Sequence, residues 1–178
     1  MKRQLFIILF LTLLLSCSEK ERDFDSLEYS YGDTFSTVYS IKFTENDTVY
    51  LREHWNGFEM LGTPKIPKEK TNYFAVLSEG QRNQLTELVR TIDFNEINPE
   101  YYQDYEDGSS YQIIIKKDSF KKTVFVHSDS IPQKLERLSK WINEIKNTLK
   151  LIETSSQLEY ESMNGFMSPP PPPPPMRR

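Results

Sequence analysis

The stretch VYSIKFTENDTVYLREH, residues 38–54, decides the predicted fold because it reads as a complete β-hairpin. Apolar and polar side chains alternate on both sides of a turn at Glu45-Asn46-Asp47, which is typical of two strands with one buried face. An Asn-Asp pair at this position favours a tight connection. We therefore expect an antiparallel hairpin with His54 on its outward face. The side chains expected on the buried face are Tyr39, Ile41, Phe43, Val49 and Leu51.

The sequence on either side of this hairpin predicts further strands and two helices. Period-two alternation begins at Tyr29, a short run over 73–77 predicts a third strand, and residues 111–127 predict a second hairpin that turns at 118–119. Ser78 and Gln81 match a capping box that opens a helix over 78–92, and apolar residues spaced by three and four predict a second helix over 132–152. The fold class expected is α+β. It is a single domain with an antiparallel sheet built from two hairpins plus a short strand, packed against two helices.

The 178 residues divide by composition into four segments. We expect a signal peptide at 1–16, a charged tether at 17–26, the α+β domain at 27–152 and a disordered tail at 153–178. A core of this length suits one domain. The tail contains seven consecutive prolines, 169–175, which can only form a polyproline II rod. That rod is either an extended spacer or a ligand for a proline-binding domain.

The first sixteen residues have the parts of an export signal, and Cys17 follows them. Lys2 and Arg3 precede an apolar run from Leu5 to Leu15, which is too short to span a bilayer. The sequence Leu14-Leu15-Ser16-Cys17 resembles the lipobox of bacterial lipoproteins, in which a diacylglyceryl group is attached to the cysteine sulfur and the signal is cut just before the cysteine. The resemblance implies lipidation of Cys17 and membrane attachment through that lipid. The alternatives are an ordinary secretory signal with an incidental cysteine and an uncleaved anchor.

The resemblance also implies a compartment. The residue directly after Cys17 is serine and not aspartate, which in Gram-negative lipoproteins implies sorting to the outer membrane, with the domain facing the periplasm or the cell surface. Cys17 is the only cysteine, so no disulfide framework supports the fold. The formal charge of −4 becomes −6 without Lys2 and Arg3. An acidic chain argues against nucleic acid or anionic lipid as the main partner.

Residues 26–150 are similar to a family of small bacterial envelope domains of unknown function. The similarity lies in the order of elements, in the opening Tyr29-Ser30-Tyr31-Gly32, and in Val38-Tyr39-Ser40-Ile41. Many members of that family carry paired cysteines between the opening strands, and this chain has neither. The resemblance therefore implies a fold and no activity, and any redox or metal role of those cysteines does not transfer.

Residues that could carry catalysis or bind a cofactor are sparse. His54 and His127 are the only histidines, lie far apart in the sequence, and are expected at the surface, so no zinc site is predicted. No serine lies in a nucleophile motif, and no glycine-rich loop suits a phosphate. Asp104, Glu106 and Asp107 lack the repeat of a calcium-binding loop. No metal or cofactor is predicted.

Tyrosines are concentrated in the loop at 99–108, which predicts a contact surface. Tyrosine buries a large area at low entropic cost and keeps a polar tip. We expect Tyr101, Tyr102 and Tyr105 to contact an unknown protein or glycan partner, with the loop at 56–71 beside them, unless the rings pack under their own loop. The alternatives are a hydrolase that uses carboxylates such as Glu100 or Asp104, and an inhibitor or structural partner of an envelope protein.

Overall fold

A computed structural model describes residues 23–35, 37–56, 67–104 and 107–164. Eight strands and two α-helices are assigned there, which confirms the α+β class. The strands are β1 (Ser26–Asp33), β2 (Thr37–Thr44), β3 (Thr48–Asn56), β4 (Asn72–Val76), β5 (Glu100–Tyr102), β6 (Ser109–Lys117), β7 (Phe120–His127) and β8 (Ile152–Thr154). The helices are α1 (Glu79–Arg90) and α2 (Gln133–Lys146), and a 3-10 turn follows at Glu161–Met163.

The strands form one sheet in the order β5-β7-β6-β1-β2-β3-β4-β8. Neighbouring strands are antiparallel except for β5 and β7, which are parallel. Both predicted hairpins and the short third strand are present. The residues 23–26 at the end of the predicted tether also belong to the domain, since Phe24 is buried in the core and β1 begins at Ser26.

The two helices cover one face of the sheet, which we call the front face. Alternate strand residues face them, so a single apolar core forms between the layers. The predicted capping box is present, because the Gln81 amide donates to the Ser78 hydroxyl at 3.3 Å and the Ser78 amide donates to the Gln81 side chain at 2.8 Å. The sheet contributes Leu27, Tyr29, Ile41, Phe43, Leu51 and Ile113, and the helices contribute Leu85, Val89, Leu135, Leu138 and Ile142.

The second helix is shorter than the sequence predicted, since it ends at Lys146 and not at Ile152. Asn147 caps it, and Leu149 packs against the core from the turn that follows. Leu149 covers the same core as the helix does, so its position in the sequence continues the helical spacing of apolar residues although the helix has already ended. Ile152 lies in β8 and is exposed.

The prediction that the chain is a disordered tail from residue 153 onward was wrong for residues 153–164. This segment forms β8, crosses the face of the sheet opposite the helices, and ends in the 3-10 turn. We call that face the back face and residues 155–164 the back segment. Tyr160 and Ser162 are buried there. The polyproline stretch 169–175 lies outside the described residues.

Candidate functional site

The strand register gathers three connections at one end of the sheet. The end of β1 at Asp33 pairs with the start of β6 at Ser109. The end of β3 at Asn56 pairs with the start of β2 at Thr37. The end of β5 at Tyr102 pairs with the end of β7 at His127. We call this end the far end, and the opposite end, where the chain joins the sheet at Ser26, the near end. The two loops that the sequence predicted as contact regions therefore both join the sheet at the far end.

Of the predicted contact tyrosines, one is well exposed. Tyr102 lies in strand β5 and not in a loop, is 60% exposed, and has its ring 5.4 Å from that of His127. Tyr101 is half-buried against the core, and its hydroxyl accepts a hydrogen bond from the Asn98 amide at 3.3 Å. Tyr105 lies outside the described residues. The structure therefore brings Tyr102 to the surface and gives Tyr101 a packing role.

Two further aromatic side chains are exposed at the far end, and the sequence reasoning missed both. Phe35 is 73% exposed in the β1–β2 connection, and Trp55 is 36% exposed near the end of β3. The Asp33 carboxylate accepts from the Phe35 amide at 2.9 Å, and the Thr34 hydroxyl donates to the Gly108 carbonyl at 3.3 Å. These bonds fix the turn that presents Phe35.

A β-bulge explains the position of Trp55. Tyr39 pairs with Glu53, but Val38 pairs with Trp55, so His54 is an extra residue in β3. Such a bulge re-aims the side chains that follow it. The alternation of the sequence gave no sign of the extra residue, so a regular strand was expected through His54.

Four tyrosines form a rigid cluster on the front face, extending from the core toward the far end. The rings of Tyr29, Tyr31, Tyr39 and Tyr111 lie 5.3–6.4 Å from their neighbours, which is ordinary spacing for packed aromatic pairs. The Tyr29 hydroxyl lies 2.9 Å from the Ser139 hydroxyl, and the Tyr39 hydroxyl donates to Asn143. Burial raises the pKa of Tyr29 and Tyr39, so both hydroxyls stay protonated at physiological pH.

One buried ion pair lies next to this cluster. The Lys146 ammonium is 2.5 Å from the Glu53 carboxylate and 4.2 Å from the centre of the Tyr39 ring. Both side chains are almost completely buried. The pair therefore connects α2 to β3 and is closed to a substrate.

The back face carries a chain of polar contacts that the sequence did not predict. Ser30 lies 2.6 Å from Ser40 and 2.7 Å from Ser162 through their hydroxyl oxygens, and Ser40 lies 2.9 Å from the His54 ring nitrogen Nε2. Burial, with a smaller contribution from Arg52, lowers the pKa of His54 to about 4. His54 is therefore neutral at physiological pH and half-buried, where a surface position was expected.

This serine–histidine contact is structural. Ser40, Ser30 and Ser162 are completely buried, so no substrate carbonyl can reach their oxygens. Glu28, also buried, accepts from the Ser162 amide at 3.2 Å and pairs with Lys42 at 3.0 Å. The contacts hold the back segment on the sheet.

Two depressions in the described part of the surface bear on the hydrolase alternative. A cleft of about 470 Å³ lies between α1 and the β6–β7 hairpin at the near end, and a groove of about 450 Å³ lies beside Trp141. Neither is lined by Glu100 or Asp104. In the part of the chain that the structure describes, no group of three or more His, Cys, Asp or Glu side chains is placed to hold a metal ion.

Two further findings concern the membrane and known proteins. No helix among the described residues is both long and apolar enough to cross a membrane. Comparison with protein-family models gave no match to this chain, and comparison with curated proteins gave none either. The resemblance to small envelope domains stays a prediction.

Proposed function

We propose that the chain is an acyl-anchored lipoprotein of the Gram-negative outer membrane whose domain binds a protein or glycan partner without catalysing a reaction. The anchor is Cys17, which lies outside the described residues. The contact surface is the far end of the sheet, with Phe35, Trp55 and Tyr102 as its exposed aromatic residues.

The observation that carries this proposal is the concentration of exposed aromatic rings at one end of the sheet. Aromatic side chains are enriched where proteins meet partners, because they bury a large area and lose little entropy. Phe35, Trp55 and Tyr102 come from three different elements, and hydrogen bonds, a bulge and a strand pairing fix their backbones. A surface fixed in this way loses little further freedom on binding.

The position of the far end fits an anchored protein. β1 runs from Ser26 to Asp33, and eight residues of strand span about 25 Å at about 3.3 Å per residue. A lipid on Cys17 would hold the near end close to the membrane. The aromatic rings would then lie on the opposite side of the domain, toward a partner in the periplasm or outside the cell.

Acylation is tested by metabolic labelling with a palmitate analogue. We expect label in the wild-type protein and none in Cys17→Ser. Equal labelling of the two proteins would contradict the anchor.

Partner binding is tested by placing a photo-crosslinking amino acid at Phe35 or Tyr102 in intact cells. The matched control is the same amino acid at Lys140, which is exposed on α2. A protein partner gives one discrete adduct from positions 35 and 102 and none from 140. A glycan partner instead gives retention on the cell-wall fraction that Phe35→Ala with Tyr102→Ala abolishes. Absence of both results would contradict the contact surface.

A further inference from the structure

The back segment covers only part of the back face. The Asn72 side-chain amide donates to the Ser156 carbonyl at 2.8 Å, and the Ser162 hydroxyl lies 2.7 Å from that of Ser30. The strand register places Ser30 and Asn72 in one row across β1, β2, β3 and β4. The next rows toward the near end, in β3, β4 and β8, therefore lie to one side of these contacts.

Those rows carry apolar side chains. Tyr50 pairs with Phe74 and Phe74 pairs with Ile152, so these three side chains share one face of the sheet. Val76 lies two positions beyond Phe74 on the same face, which is the back face because the neighbouring Tyr73 belongs to the core in front. Val76 is 66% exposed and Ile152 is 56% exposed, whereas the other two are half-buried. We call Tyr50, Phe74, Val76 and Ile152 the edge patch.

The described part of the chain ends on the same face. Ser162 is held on β1 by Ser30, and the Asn164 amide closes the 3-10 turn by donating to the Glu161 carbonyl at 2.9 Å. Neighbouring strands lie about 4.8 Å apart, so β4, three strands from β1, is about 14 Å away and β8 is about 19 Å away. Pro169 comes seven residues after Ser162, and seven residues reach at most about 25 Å. The proline stretch 169–175 is therefore within reach of the edge patch without crossing the sheet.

The composition and length of the proline stretch fit this patch. The sequence contains no charged residue between Glu161 and Arg177. One turn of polyproline II takes three residues and is about 9 Å long, and the two strand spacings from Tyr50 to Ile152 measure about 10 Å. Aromatic surfaces bind proline-rich segments because the rings pack together and the stiff rod loses little entropy. The edge patch therefore offers room for about one turn of the rod.

We propose that the proline stretch 169–175 docks on the edge patch of its own domain, with proline rings packed on the four apolar side chains. A short tether gives the stretch an effective concentration in the millimolar range, so a weak contact is sufficient. The apolar groove beside Trp141 lies between the two helices on the front face, and the chain from Asn164 reaches it only around the sheet. This inference rests neither on the anchor at Cys17 nor on the contact surface at the far end.

The experiment measures whether the proline stretch shields the edge patch. Val76→Cys or Ile152→Cys is introduced into the full chain, and a maleimide is added briefly to a native lysate without detergent. Labelling is read by mass spectrometry on the peptide that contains the new cysteine, which separates it from Cys17. Each chain is compared with a serine-tail variant, in which all seven prolines of 169–175 are replaced by serine. Lys140→Cys, on the exposed side of α2, is the reference.

We expect the cysteines at positions 76 and 152 to label about threefold more slowly with the proline stretch than with the serine tail. A threefold difference corresponds to a stretch that is docked about two-thirds of the time, because only the undocked chains react. The cysteine at position 140 should label equally in both. Arg177→Ser with Arg178→Ser, which changes the tail and keeps its prolines, is the matched control and should keep the protection.

Three results would overturn the inference. Equal labelling of positions 76 and 152 with either tail means that the prolines do not cover the edge patch. Protection of Leu88→Cys instead means that they occupy the groove beside Trp141, which Leu88 lines. The third result concerns a serine-tail chain with the cysteine, produced together with a chain that has the wild-type tail. If the second chain restores the protection, the occupant is the tail of another copy.

Discussion

The two faces of the sheet are covered in different ways. On the front face, apolar side chains of the strands meet the apolar sides of α1 and α2. On the back face, Glu28, Ser30 and His54 contact the back segment, which is held by hydrogen bonds and ion pairs, and Ser40 links Ser30 to His54. Helices fastened by apolar burial resist opening more than a short polar segment does, because each net hydrogen bond contributes only about 1 kcal/mol. The faces should therefore respond differently to the same substitution.

Strand β6 offers a direct test, because Ile113 faces the front and Ile114 faces the back. Both are buried. We expect Ile113→Ala to lower the free energy of unfolding by about 4 kcal/mol and Ile114→Ala by about 2 kcal/mol, since truncation costs most where the surroundings cannot collapse into the cavity. Urea denaturation of both variants measures the difference. Equal losses would show that the back segment is as rigid a cover as the helices.

Removing the central hydroxyl of the back face should have a smaller effect. Ser30 contacts both Ser40 and Ser162, so Ser30→Ala leaves two buried hydroxyls with one partner fewer. We expect a loss of about 1–2 kcal/mol in the free energy of unfolding. Amide hydrogen exchange at Ser162 should also become faster, because the back segment is held less firmly.

Ser119→Ala, at the exposed turn of the β6–β7 hairpin, is the matched control for this change. It should alter neither the stability nor the exchange at Ser162. A Ser30→Ala protein with wild-type exchange at Ser162 would contradict the role assigned to these hydroxyls.

The smallest expected effect is a dependence of stability on pH through His54. Burial lowers the pKa of its folded form to about 4 from an ordinary value of 6.5. Between these values the unfolded chain binds a proton at His54 and the folded chain does not, so stability falls as the pH falls from about 6.5 to about 4. Between pH 7 and pH 5 we expect a loss of about 1 kcal/mol, a figure reduced for the solvent that screens a partly exposed ring.

His54→Gln should remove this loss, and His127→Gln, which replaces the other histidine, should keep it. Glu161 contributes in a separate window. Its pKa is held at about 2 by Lys116 and Lys121, so its contribution is present above about pH 4.5 and is lost as the pH falls toward 2. If the free energy of unfolding of His54→Gln changes between pH 6.5 and pH 4 as it does in the wild type, protonation of His54 is not the cause of the loss.

The front face was predictable from sequence because its buried apolar residues recur at regular spacings along the chain. Tyr39, Ile41 and Phe43 repeat at two, and the residues from Leu135 to Ile142 repeat at three and four, so hairpins and helices could be assigned. Ile114 breaks the alternation of its strand, which is typical of a strand covered in part on both faces. Ile114 is indeed buried.

The back face and the far end were not predictable to the same degree. Residues 155–164 are mostly polar and have no period, so nothing in them showed that Tyr160 and Ser162 would be buried. His54 looked like an outward residue because the bulge beside it and the cover above it are both properties of the assembled sheet. Tyr102 was expected as a contact residue, but Phe35 and Trp55 were missed because exposure of a single aromatic residue leaves no pattern in the sequence.

The central place of β1 imposes an order on folding during synthesis. Leu27 pairs with Phe43 on one side and with Ile115 on the other, so its neighbours lie 16 and 88 positions further along the chain. Strands β1 to β3 can pair as soon as they are made, whereas the second edge of β1 stays open until β6 emerges. Pairing over so long a separation is slow, and an open edge attracts strands from other chains. The half-made protein therefore passes through a stage at which a strand that is buried in the finished sheet has an edge open to aggregation, and a chaperone that shields β1 would act there.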